Sequence, residues 1–203
     1  MKRKELEMTL QRVKAFDMPR ADLEQYPTPA TIASEMVFLA FANGDIEGKT
    51  VLDLGCGTGI LCIGAALLGA SRTIGVELDG NAIKTAKENA DMLGVEIEFL
   101  KGDVSSFEGK VDTVVQNPPF GSQNRNADRP FLEKAMSSAD VVYSLHMSET
   151  LDFLARYASE RGFAVEFQKR FKFDIPHTFA FHRKSSRSFD VSLLCFRRCG
   201  DSL

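Results

Sequence analysis

The sequence predicts an α/β fold: a mostly parallel, seven-stranded sheet with helices on both faces and an antiparallel hairpin at its C-terminal end. Three observations carry this expectation. Short β-type runs alternate with apolar-periodic segments through the middle of the chain, the pattern of strand–helix–strand units, which make parallel sheets. The run LDLGCGTGIL (52–61) sets three glycines between a strand and a helix, the usual ligand-binding turn of open α/β sheets. Two long β-type runs then close the sequence with only a short basic stretch between them, and strands joined that way pair antiparallel. At 203 residues one domain is the default, spanning 1–203, with N-terminal helices over 1–44, a core over 45–160 and the hairpin over 161–203.

The elements follow in order. Residues 2–15 form an amphipathic helix, with Leu6, Leu10 and Val13 on one stripe. Thr28-Pro29 opens a second helix, Thr28 as N-cap and Pro29 at the first helical position. This helix carries Ile32, Met36, Val37, Leu39 and Ala40 and stops at Asn43-Gly44. TVLDL (50–54) is strand one, and an apolar helix covers 58–68. RTIGVEL (72–78) is strand two. Asp79 caps a helix that buries Ala82, Ile83, Ala86, Ala90 and Leu93 and ends at Gly94. VEIEFL (95–100) and VDTVVQ (111–116) are strands three and four. A helix near 129–138, strand five at 140–145 and a helix at 148–160 come next. The closing strands cover 162–173 and 188–197, around the basic loop FHRKSSRS (181–188).

Composition narrows the function classes. No apolar run approaches the roughly 20 residues that span a bilayer, and MKRKELEMTLQRVKAF at the N-terminus lacks an apolar signal core. The expected location is cytoplasmic. Cys56, Cys62, Cys195 and Cys199 show neither a CxxC pair nor metal-site spacing, so they read as reduced thiols, and no metal is expected. The net charge of −3 is uneven: residues 161–203 hold nine Lys/Arg against four Asp/Glu, which leaves −8 on residues 1–160. A basic segment on an acidic body fits a polyanionic partner or, equally, a solvated strand pair.

The glycine loop points to a ligand. Gly55, Gly57 and Gly59 let the backbone turn tightly and let a ligand come close, and the helix behind them offers unpaired N–H groups. The spacing is G-x-G-x-G rather than the G-x-G-x-x-G of dinucleotide binders. Asp53, two residues ahead of the loop, would repel a pyrophosphate but suits an ammonium group. Glu77 closes strand two, 22 residues after Gly55, where a carboxylate can accept from both ribose hydroxyls of a nucleoside. Asp103, in KGDV after strand three, is placed to accept from an adenine amino group. Each acid alone reads more simply as a cap or turn residue, but three at the ends of consecutive strands converge on the ligand edge. Together with the loop they resemble the S-adenosylmethionine site of the Rossmann-like class I methyltransferases, over about residues 45–145. That resemblance implies S-adenosyl-L-methionine as cofactor, with the loop under its methionine part, Glu77 on the ribose and Asp103 on the adenine.

VVQNPPF (114–120) ends a strand with two prolines. An exocyclic amine on an aromatic base is a poor nucleophile because its lone pair is delocalised into the ring. Two acceptors, one for each N–H, help the nitrogen pyramidalise and turn its lone pair to the methyl group. The Asn117 side-chain oxygen and the Pro118 carbonyl can be those acceptors, and both bonds strengthen as charge develops on nitrogen. Pro118 and Pro119 fix the backbone that holds them, and Phe120 is the expected stacking partner of the base. Asn117 also counts among the expected cofactor neighbours. NPPF resembles the signature of amino-methyltransferases that act on adenine N6, cytosine N4 or a glutamine amide, without choosing among them.

The flanks are more selective. KELEMTLQRV, LEQYPTPATIA (23–33), NPPFGSQN (117–124), VVYSLHMSET (141–150) and IPHTFAFHRKSSRSFDVSLLCF (175–196) occur in the order found in the archaeal and eukaryotic methyltransferases that place an N6-methyl on one adenosine of small-subunit ribosomal RNA. The chain resembles that family over nearly its whole length. The resemblance implies that Gln25 and Thr28 close over the methionine end, that residues 1–44 close the cofactor site, and that Gly55, Thr58 and Ile60 make loop contacts. Glu77 stands where the family usually has Asp. A small zinc-binding activator protein that covers an apolar sheet edge is the implied partner. Phe163, Phe167, Phe171 and Phe173 could belong to such an edge, though most read as core. His182, Arg183, Lys184 and Arg187 are the expected contacts to RNA phosphates. His146 and His177 show no carboxylate or metal pattern and read as satisfied structural residues. The alternatives are methyl transfer to protein glutamine or DNA adenine, a non-catalytic RNA-binding assembly factor and, more remotely, an NAD-dependent dehydrogenase.

Overall fold

The computed structural model describes residues 1–120, 127–175 and 187–200; at 167, 174, 175 and 187 it describes the backbone alone. The elements are α1 (Arg3–Leu10), α2 (Ala30–Ala42), β1 (Thr50–Leu54), α3 (Ile60–Leu67), β2 (Arg72–Glu77), α4 (Gly80–Leu93), β3 (Glu98–Lys101), β4 (Thr113–Gln116), α5 (Arg129–Ser138), β5 (Val141–Met147), α6 (Leu151–Ser159), β6 (Phe163–Ile175) and β7 (Arg187–Arg198). They build a seven-stranded sheet in the order β3-β2-β1-β4-β5-β7-β6. Strands β1 to β5 are parallel, and β7 runs antiparallel to both β5 and β6.

Alternation along each strand divides the core into two layers. Val51, Val115, Tyr143, Leu145 and Leu193 face α1, α2 and α3, where Leu6, Leu10, Met36 and Ile63 are buried. Leu52, Leu54, Val114, Val142 and Leu194 face α5 and α6 and meet Leu132 and Leu154. The last strand takes an interior place: β7 pairs with β5 from Val141↔Arg197 to Met147↔Val191. Arg197 reaches past that seam to Asp45, which also accepts from the Tyr143 hydroxyl at 2.7 Å. The outer strand β6 presents Glu166, Lys169, Arg170 and Lys172 to solvent, and charges of this kind discourage edge-to-edge pairing. Phe163 and Phe173 are buried and Phe171 packs half-buried against the core, so these three serve the core and not an exposed edge; the side chain of Phe167 lies outside the described residues.

Four expectations needed correction. The first helix ends at Leu10 rather than near residue 15, because a tertiary bond captures the chain beyond it: the Lys14 N–H donates to Asn89 Oδ1 at 2.9 Å. Thr28 does not cap α2. Pro29 is the N-cap, and the Thr28 hydroxyl is engaged elsewhere. Strand β3 starts at Glu98, since the Val95 N–H turns back to the Ala90 carbonyl behind the left-handed Gly94. Strand β4 starts at Thr113, because the Val111 N–H goes to the Ser138 carbonyl instead of a strand neighbour. Asp79 does cap α4, accepting from the Asn81 N–H. Among the described residues no helix is long and apolar enough to cross a membrane.

Candidate active site

The strand order reverses between β1 and β4, so the chain leaves their carboxyl ends toward opposite faces of the sheet, to α3 on one side and α5 on the other, and a crevice opens between. A cavity of about 300 Å³ fills it. Of the expected cofactor residues, Gln25, Thr28, Asp53, Gly55, Gly57, Thr58, Ile60, Glu77, Asp103 and Asn117 all line this cavity. Gly59 does not. It is the N-cap of α3, with φ +91°, and packs against Ala86 beneath the loop.

The loop is shaped by its neighbours as well as by its glycines. Gly57 has φ +54° and its N–H donates to Glu77 Oε2 at 3.0 Å. A Cβ there would stand 2.8 Å from the Phe16 ring, and one on Gly55 would stand 2.7 Å from Phe131. The absent side chains therefore make room for two aromatic walls, one from each side of the crevice. Phe16 and Phe131 were not legible as site residues. Phe16 lies in the segment between α1 and α2, Phe131 in the first turn of α5, and no local spacing links either to the loop.

The acids differ in setting. Asp53 is fully buried; Oδ2 accepts from the Cys62 N–H at 3.1 Å, while Oδ1 has no partner among the described residues. Burial, reinforced by the charge of Glu77, pushes its pKa up to about 7. Glu77 is raised by burial too, against the N–H groups of Asp79 and Gly57 that it accepts. Asp103 is held below the usual carboxylate range by Ser105, whose hydroxyl and N–H both donate to Oδ1. Three carboxylates around one cavity, one of them with a bare buried oxygen, suit a ligand that brings a cation and hydroxyl donors.

The strap between α1 and α2 lines one side of the cavity with Phe16 and residues 22–28. Asn89, buried on α4, bonds both the N–H and the carbonyl of Lys14 and also the Thr58 carbonyl, at 2.9, 3.1 and 2.9 Å. Gln25 spends its amide inside the protein, donating to Asp79 Oδ2 and accepting from the Arg20 N–H. Asn89→Ala orphans three backbone groups at once, and the expected result is a loss of about 2–3 kcal/mol in unfolding free energy. Urea denaturation measures it.

Beyond β4, the Asn117 Nδ2 donates to the Thr28 hydroxyl at 2.9 Å, and Asn117 Oδ1 is buried without a partner among the described residues. Pro119 lines the cavity, and Pro118 is buried behind it. Phe120 is not part of the lining. Its half-buried ring packs edge-on against Phe173 at 5.5 Å and lies 6.4 Å from Phe189. The hairpin's rings offer it an apolar seat that the sequence did not reveal.

His146 is buried and has a partner at each ring nitrogen, the structural role expected of it, but one partner is a carboxylate that the sequence did not suggest. Asp128 Oδ2 lies 3.3 Å from its Nδ1, and the Ser144 hydroxyl lies 2.8 Å from Nε2. Gln116 donates to that hydroxyl at 3.1 Å. The chain of bonds ties the end of β4 to the start of α5, whose Pro130 and Phe131 form one cavity wall. Burial raises the Asp128 carboxyl, but His146 outweighs it and the net pKa is lowered. Among the described residues no group of His, Cys, Asp and Glu could hold a metal ion. His177, His182, Arg183 and Lys184 lie outside the described residues, as does the side chain of Arg187, whose backbone opens β7 opposite Ile175.

The chain is similar to known proteins in sequence and fold. The family model for Ribosomal protein L11 methyltransferase (PrmA) matches residues 32–118, the stretch from α2 to the end of β4. The rRNA N(6)-adenosine-methyltransferase METTL5 of Danio rerio is 39% identical over 204 residues, covering 97% of this chain and 99% of its own. Mettl5 of Drosophila melanogaster is also 39% identical, over 97% of this chain and 96% of its own. A crystal structure of a candidate RNA methyltransferase from Pyrococcus horikoshii is 45% identical, covers 98% of both chains and superposes with a TM-score of 0.92. The L11 match ends before β5, α6 and the hairpin, whereas the METTL5 match takes them in. By that full-length likeness, the chain belongs to the family of rRNA N(6)-adenosine-methyltransferases.

Proposed function

We infer that this protein transfers a methyl group from S-adenosylmethionine to N6 of an adenosine in ribosomal RNA. One observation carries the chemistry: the half-buried Asn117 amide is tied down through Nδ2, and its buried Oδ1 has no partner among the described residues. The substrate that such an oxygen wants is an N–H donor. In this reading Oδ1 and the Pro118 carbonyl accept the two N–H bonds of the exocyclic amine and leave its lone pair free to turn. Both bonds strengthen as the nitrogen becomes positive, which lowers the barrier selectively. The bound cofactor supplies the methyl group, made electrophilic by its sulfonium. Methylation acidifies the amine, so its surplus proton needs no strong base. Pro118 and Pro119 stiffen the acceptors, and Phe120 anchors them to the hairpin.

The remaining residues divide the cofactor. Asp53 Oδ1 faces the ammonium of the amino-acid end, which Gln25 and Thr28 close over. Gly55, Gly57, Thr58 and Ile60 provide the floor, while Gly59 shapes it from below. Each Glu77 oxygen already accepts one N–H and keeps a lone pair for a ribose hydroxyl. Asp103 reads the adenine. His182, Arg183, Lys184 and Arg187 remain our assignment for RNA phosphates, and the protein works in the cytoplasm. A zinc-binding activator protein is the partner we favour. The edge that supports it is β3, where Leu100 is 37% exposed, Phe99 is half buried and, on the neighbouring α4, Met92 is 39% exposed. The charged β6 edge is a poorer seat.

The test incubates the protein with radiolabelled cofactor and, separately, small-subunit ribosomal RNA, ribosomal proteins and duplex DNA. Label in the RNA alone, released on digestion as N6-methyladenosine, is the expected result. Label in protein or DNA, or none with a partner present, overturns the reading.

A further inference from the structure

We propose that the target base stacks on Phe131 of α5, the role that the sequence suggested for Phe120. The proposal rests on the amine-methylation reading above. A base drawn out of its strand loses its stacked neighbours, and the site has to offer a replacement surface. Phe120 does not offer one where it stands. It is no part of the cavity lining, and its ring is engaged with Phe173 at 5.5 Å and Phe189 at 6.4 Å.

Among the described residues three rings line the cavity: Phe16, Tyr26 and Phe131. Phe16 stands over Gly57, whose N–H serves Glu77. Tyr26 packs on the α1–α3 layer and follows Gln25, which is bound to Asp79 at the start of α4. Both rings belong to the strap, on the side assigned to the cofactor. Phe131 comes from the opposite face of the sheet, where it packs against the α5–α6 layer. Strand pairing brings it to the reaction centre. Leu54↔Gln116 is the last pair of β1 with β4, so Gly55 and Asn117 leave the sheet side by side. The ring abuts Gly55: a Cβ there would stand 2.7 Å from Cε1, 3.5 Å from Cζ and 3.7 Å from Cδ1. Those three atoms form one edge, so the faces of the ring are turned away from the loop. Pro119 and Pro130 add apolar lining, and the bare Asn117 Oδ1 supplies an acceptor. An adenine presents the complement, a flat apolar face with N–H donors at its rim. The wall is also fixed in advance. Asp128, three residues before Phe131, holds the N-cap position of α5 yet makes no capping bond; its carboxylate goes to the buried His146 instead. A ring held this way loses little freedom when a base settles on it.

The test is a cycle between the ring and the base. It uses a fragment of small-subunit ribosomal RNA centred on the adenosine that takes the label, and the same fragment with that one base replaced by hydrogen. Filter binding with saturating S-adenosylhomocysteine gives both Kd values for the parent, Phe131→Leu, Phe131→Met, Phe131→Tyr, Phe120→Leu and Tyr26→Leu, each checked for folding by its melting temperature. The quantity read is the Kd of the abasic RNA divided by that of the intact RNA. It falls by about fivefold or more in Phe131→Leu and Phe131→Met, the scale of one base stacked on one aromatic ring. It stays within about twofold of the parent in Phe131→Tyr, Phe120→Leu and Tyr26→Leu. A wall that only shapes the cavity changes both Kd values together and leaves the ratio alone. At saturating cofactor, kcat/KM for the intact RNA falls by about fivefold or more in Phe131→Leu and stays within about threefold in Phe131→Tyr. An unchanged ratio in Phe131→Leu and Phe131→Met overturns the proposal, as does a ratio that falls in Phe120→Leu or Tyr26→Leu instead. RNA that takes no label overturns the functional reading itself. Labelled RNA whose ratio is indifferent to Phe131 overturns this proposal alone.

Discussion

Asn117→Ala lowers methyl transfer to RNA by about 10²–10³-fold, the scale on which a preorganised transition-state hydrogen bond acts. Single-turnover assays with saturating cofactor measure it. Cofactor affinity, read by calorimetry, stays within about threefold. The two outcomes separate because Asn117 stands beyond β4, whereas Asp53, the glycine loop and Glu77 belong to β1, its turn and β2. The truncation removes the bare oxygen and also withdraws the donor that Thr28 accepts. It leaves Pro118 and Pro119 in place, so the cavity keeps its shape. A parallel loss of rate and affinity would make Asn117 a cofactor ligand and remove it from the chemistry.

The second large effect concerns Asp53 and pH. Its carboxyl titrates near 7 in the protein against 3.8 ordinarily, with burial as the leading cause. A cationic ligand beside Oδ1 favours the ionised form. Below pH 7, ligand binding therefore has to expel a proton, and affinity for S-adenosylmethionine rises with pH toward a plateau above 7, at most about tenfold per unit. Calorimetry in buffers of different ionisation enthalpy detects the released proton. Asp53→Asn binds more weakly and loses the pH dependence. Stability moves the opposite way. Between pH 3.8 and about 7 the folded protein holds the Asp53 proton more tightly than the unfolded chain does. The ligand-free protein thus loses stability as pH rises through that window, and Asp53→Asn removes this slope. Denaturant midpoints of the parent and variant at pH 5 and 8 check the sign.

Much of the architecture was legible because local signals agreed with the global fold. The helix expected near 129–138 is α5, from Arg129 to Ser138, and Asp79 and Gly94 bracket α4 as caps. The three acids converge because strand ends in a parallel sheet converge. What could not be read was decided by contacts between distant segments. Asn89 ends the first helix early by taking the Lys14 backbone across a gap of 75 residues. Thr28 looked like a helix cap, the usual work of a threonine before proline, until Asn117 claimed its hydroxyl. His146 and Asp128 meet only because β5 runs beside β4, which carries Gln116 to Ser144. Phe120 resembled a free stacking platform because nothing near it in sequence hints at Phe173 and Phe189.

The place of β7 bears on how the chain comes off the ribosome. Translation delivers β1 to β5 early, and their shared helices can cover both faces. The outer rim of β5, from Val141 to Met147, then waits with open peptide groups until Arg198 has emerged. Strand β6 arrives first but belongs one place further out, so it has no correct neighbour when it appears. A synthesis product that stalls before Arg187 would expose two sticky rims at once, the state in which β-rich chains aggregate. Completing this sheet therefore waits for β7, which follows both of its neighbours in the sequence.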